Sequence, residues 1–102
     1  MLSFTADDAP ARLLAVYYAK QFGDPALIRF MSGEIGIESA QAAASIITGF
    51  AQMTALAAAD FQQGRQIEGI DDIEFWMHKL FNKVYGYMAK HGFQSEWDST
   101  AR

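Results

Sequence analysis

The chain has 102 residues, of which 51% are hydrophobic and 14% aromatic, and it contains no cysteine. That is enough apolar chain for one domain with its own core, and it excludes disulfides, thiolate metal sites and cysteine nucleophiles. A net charge of −4 and a pI near 4.9 set the field of the whole molecule against a polyanion, so nucleic acid is disfavoured as a partner.

Residues 1–102 read as a single all-α domain: a small bundle of about four helices with a long central alanine-rich helix and a long C-terminal helix. The start, Met1 to Leu14, holds Asp7 and Asp8 and lacks the basic and apolar regions of a secretory signal. No cleaved leader is expected, and cytoplasm is the expected location. The stretches 1–8 and 98–102 are expected to be loose, although Phe93 and Trp97 suggest that part of the tail docks.

Asp8 and Pro10 read as a helix start, because proline is tolerated in a first turn whose amides have no partner, and Gly23 supplies the stop. This gives a first helix over 9–22. Asp24 and Pro25 restart the chain as N-cap and first helical residue, and Leu27, Ile28, Phe30 and Met31 make a short apolar helix ending near Gly33. Gly33 and Gly36 bracket a loop, after which a long helix runs from Glu38 to Gln63 and stops at Gly64. The fourth helix begins with a capping box, Asp71 with Glu74, and a hydrophobic staple of Ile70 on Phe75; it ends with Lys90, His91 and Gly92.

The third helix is unusual in its charge. The 21 residues from Ser39 to Ala59 carry none; nine are alanine, seven are Ser, Thr, Gln or Gly, and only Ile46, Ile47, Phe50, Met53 and Leu56 are large and apolar. Membrane insertion would gain little from that composition, so no membrane role is expected. Ile46, Phe50, Met53, Ala57 and Phe61 form its apolar side, and Gln41, Ser45, Thr48, Gln52 and Gln63 the opposite one. A surface helix ordinarily places Lys, Glu or Arg there, so this side is expected to be covered by other helices or by another copy of the chain. Gln41, Ser45, Thr48 and Gln52 are the self-association candidates of a homodimer. Small residues at four-residue spacing, Ser45 with Gly49 and Ala51 with Ala55 and Ala59, would allow close approach.

On the fourth helix, Ile73, Trp76, Met77, Leu80, Phe81, Val84, Tyr87 and Met88 fall within an arc of about 140°, which reads as core. Lys79, Lys83 and Lys90 share an outer strip about 40° wide, bordered by Trp76 and Tyr87. These five residues are the candidates for gripping an acidic partner, against the alternative that the lysines solvate an exposed face.

No chemistry assembles in the sequence. Glu74 and His78 share a helix face, and Asp71 and Asp72 are near, but no second ligand cluster exists, so no metal is expected. Ser32, Ser39 and Ser45 lie in no nucleophile setting, and Ser32 to Gly36 lacks the lysine and hydroxyl of a phosphate loop. Tyr17, Tyr18 and Phe22 at helical spacing read as core. No cofactor and no enzymatic activity are expected. The function expected is a non-enzymatic protein-interaction module, an adaptor, accessory protein or inhibitor acting on a larger assembly. Small acidic helical proteins of viruses and mobile elements often have that role. The alternative is a structural oligomer subunit with helix 38–63 as its permanent interface, and a third reading is a small ligand- or metal-binding helical bundle.

Overall fold

The computed structural model describes residues 2–92. A single 3-10 turn, Ala6–Asp8, leads into four helices: α1 Ala9–Phe22, α2 Pro25–Met31, α3 Ala40–Gln62 and α4 Ile73–Lys90. No strand occurs among the described residues, and the fold is an all-α bundle. The tail carrying Phe93 and Trp97, and the stretch 98–102, lie outside the described residues.

Local signals set most boundaries. The Asp24 carboxylate accepts from the amides of Ala26 at 3.0 Å and Leu27 at 3.4 Å, opening α2 with Pro25 in its first turn. Ser39 Oγ accepts from the amide of Ala42 at 3.1 Å and opens α3, two residues later than the composition alone suggests. At α4 the cap is Asp72, not Asp71: its Oδ1 accepts from the amide of Phe75 at 3.3 Å, with its own backbone left-handed at φ 54°. That one-residue shift removes Glu74 from the N3 position a capping box needs. The staple is absent too, because Ile70 is buried while Phe75 stands 47% exposed, edge-on to Trp76.

α1 is the element that the rest of the bundle shares: α2, α3, α4 and the 3-10 turn all pack on it. Ala11, Ala15 and Ala19 recur every fourth residue along its buried side, with Leu14 and Tyr18 between them, so helices can approach on more than one flank. α3 sends Ile46, Phe50, Met53 and Ala57 inward, and α4 sends Leu80, Val84 and Met88. α3 and α4 meet where the Phe50 ring stands edge-on to Phe81 and Tyr85, at 5.5 and 5.9 Å.

Gly49 also faces inward. A β-carbon there would lie 3.3 Å from Asp24 Oδ2 and 3.6 Å from Leu27 Cδ2, so its missing side chain is what lets the start of α2 rest on α3. The close approach that small residues at this spacing allow is thus made, at Gly49, by α2 of the same chain.

The segment ahead of α1 is tied down. Leu2 is buried, and its carbonyl passes 2.9 Å from where a β-carbon on Gly33 would stand. Gly33 has φ +76°, so both backbone conformation and space call for glycine there.

Candidate functional site

The lysine strip of α4 is divided between surface and fold. Lys83 Nζ lies 3.0 Å from Asp8 Oδ2, donates to the Ser3 carbonyl at 3.2 Å, and sits 5.7 Å from the centre of the Phe4 ring. The hydrogen bond from Lys83, with a further one from Thr5, holds the Asp8 carboxyl below its ordinary pKa. Tyr87 is half-buried; its hydroxyl accepts from the amide of Ile37 at 3.1 Å and its ring stands edge-on to Phe30. These two candidate residues thus hold the N-terminal segment and the α2–α3 loop against α4. Lys79 and Lys90 are exposed. Lys79 Nζ sits 5.4 Å over the Phe75 ring, which packs on half-buried Trp76. What remains of the strip as open surface is Trp76 with Phe75 and Lys79, and Lys90 about three turns beyond Lys79.

The outer side of α3 is bare. Gln41, Ser45, Thr48 and Gln52 are all exposed, and so are Ala44, Ala51, Ala55, Ala58 and Ala59 around them. Leu56 is 38% exposed at the edge of this face. Neither α2 nor the described loops cover it, so the uncharged character noted in the sequence belongs to open surface on the single chain.

This face runs directly into a groove. α3 and α4 touch through the Phe50 ring contacts and separate toward the end of α3 and the start of α4, leaving a cavity of about 750 Å³. Ala55, Ala58 and Phe61 line one wall and Ile73, Met77 and Phe81 the other, with Gln62, Glu74 and His78 at the margins.

Beside the groove, around the end of α3, lies a polar cluster. Tyr18 Oη donates to Asp60 Oδ2 at 3.0 Å, Arg65 Nε lies 3.3 Å from the same oxygen, and Arg65 Nη1 donates to Tyr17 Oη at 2.9 Å. Burial, reinforced by the Asp60 carboxylate, pushes the Tyr18 hydroxyl well above the ordinary tyrosine range. Tyr18 is a core residue, as its spacing suggests, but the sequence offers no sign of its partner Asp60, 42 positions away.

Among the described residues no three His, Cys, Asp or Glu side chains come together to hold a metal. α3 is the one described helix long and apolar enough, by length and composition, to cross a membrane; its most apolar window has mean hydropathy 1.4 and is 33% buried in the bundle. Comparison with known proteins found no matching family, curated protein or solved structure.

Proposed function

We propose that this chain is a non-enzymatic protein-interaction module, an adaptor, accessory protein or inhibitor that acts by docking on a larger assembly. The observation that carries the reading is the open, charge-free side of α3 continuing into the apolar groove beside α4. The cores of protein interfaces are depleted of charged groups, because each charge must be stripped of water on docking. A bilayer is a poorer match for the same face. The large apolar groups Ile46, Phe50 and Met53 already lie in the bundle core, leaving alanine, hydroxyl and amide groups outward with Leu56 and half-buried Ile47 at the edges.

The experiment is affinity capture of the tagged chain beside two double variants, Thr48→Glu/Gln52→Glu on α3 and Lys79→Glu/Lys90→Glu on α4. A foreign protein held by the parent and lost only with the α3 variant supports the reading. Loss with the α4 variant alone would move the docking surface to the Trp76–Lys79 patch. The second reading, a structural oligomer subunit, is favoured by one observation: a face without charge can lie against its own copy.

A further inference from the structure

Building on that interaction reading, we infer that in the free protein, until a larger assembly displaces it, a second copy of this chain covers the α3 face, docked antiparallel through α3 about a two-fold axis close to Ala51.

Charge is the first argument. In a two-fold interface a patch meets the identical patch, so any net charge it carries is brought against itself. On a protein of net charge −4 that penalises most of the surface. The exposed side of α3 escapes it, since no residue from Gln41 to Ala59 is charged. Register is the second argument. Ala44, Ala51 and Ala58 are exposed, follow at seven-residue steps, and are symmetric about Ala51, which is also the midpoint of Ala40–Gln62. An antiparallel copy therefore sets Ala51 on Ala51 and Ala44 of one copy on Ala58 of the other, a small-residue seam that lets two helix axes come within about 8 Å. The groove is the third. Ala55 and Ala58 form its lip, so a helix seated on this ridge also covers the apolar wall beyond it, which solvent otherwise meets.

The area agrees with a weak dimer. α3 has 23 residues. At 1.5 Å per residue that is about 34 Å of contact length. A strip of that length and one helix diameter wide, about 10–12 Å, is roughly 350–400 Å² on each copy, below the size of stable interfaces.

The test is sedimentation equilibrium of the full chain across a dilution series from micromolar to millimolar, with Ala51→Glu, Ala51→Arg and an equimolar mixture of the two. Both substitutions sit on exposed helix, and unchanged circular dichroism would verify that each variant is folded. The parent is expected to pass from dimer to monomer mass on dilution, and each variant to associate at least about tenfold more weakly because like charges then meet at the axis. The mixture is expected to regain dimer mass, because opposite charges then face each other. A monomer mass for the parent at every concentration overturns the inference, and so does a mixture that fails to associate. Flotation of the parent with phosphatidylcholine vesicles, lost in Ala51→Glu, would also overturn it and assign the face to lipid. If the parent is monomeric yet captures a foreign protein through Thr48 and Gln52, only the dimer falls; if capture also ignores those residues, the interaction reading falls with it.

Discussion

Lys83 reaches back across the bundle to Asp8, placing its Nζ 3.0 Å from the carboxylate and closing α4 over the segment that precedes α1. A side chain that α4 turns toward its outer strip thus serves as an internal latch.

Lys83→Met should release that latch while keeping the apolar stem over Phe4. Amide exchange at Thr5 through Asp8 is expected to speed up, with exchange in α1 unchanged. The pH dependence has a definite sign. The folded pKa of Asp8 lies below its ordinary value of 3.8, so the latch is at full strength above that value and is lost as pH falls through the lowered one. An NMR titration of the Asp8 carboxyl should show its pKa rising toward 3.8 in Lys83→Met.

Beside the groove, Asp60→Ala should cost more than Tyr18→Phe. Tyr18→Phe removes one hydrogen bond and leaves Asp60 with Arg65, a loss of about 1 kcal/mol. Asp60→Ala strands the hydroxyl of a fully buried tyrosine and frees Arg65, for about 2–3 kcal/mol. Urea unfolding of both variants gives the order. Because the Tyr18 hydroxyl titrates above its ordinary 10.0 in the folded chain, stability should decline as pH climbs beyond that value, and the decline should be smaller in Tyr18→Phe.

Gly49→Leu should destabilise the bundle by about 1–3 kcal/mol, because the start of α2 occupies the space that the new side chain requires. Ala44→Leu, outward on the same helix, is expected to leave the unfolding midpoint nearly unchanged at concentrations where the chain is monomeric. Equal effects from both substitutions would contradict the packing of α2 on α3.

The two neighbouring aspartates before α4 should behave differently. Asp72→Gly keeps a residue suited to φ 54° but deletes the bond to the Phe75 amide, and should cost a few tenths of a kcal/mol; Asp72→Ala loses the bond and strains the backbone, for about 1–2 kcal/mol. Asp71→Ala is expected to be close to neutral. Thermal unfolding of the three variants would separate the two capping assignments.

The helices are legible in the sequence where their causes are local. Asp24 with Pro25, Gly23, and the periodicity of Leu80, Val84 and Met88 each act within a turn or two. The α4 cap was readable only to within one position: both aspartates can accept the bond, and which one does depends on the left-handed turn at Asp72 after buried Ile70. The bare side of α3 was visible as missing charge, but whether other helices cover it depends on tertiary packing. Least legible were the duties of Lys83 and Tyr87. Their partners, Asp8 and Ile37, lie far away in the chain, and helical periodicity places a residue on a face without saying what crosses to meet it.

The packing of α2, α3 and α4 onto one helix bears on how the chain is made. α1 precedes α4 by more than fifty residues, so the part of its buried side that α4 packs on is made before its cover is. At ordinary rates of synthesis, about 5–20 residues per second, that part waits for seconds in contact with solvent and chaperones. The last helix thus completes the bundle, and a nascent chain halted before α4 would leave the part of α1 that α4 packs on as an exposed, adhesive surface.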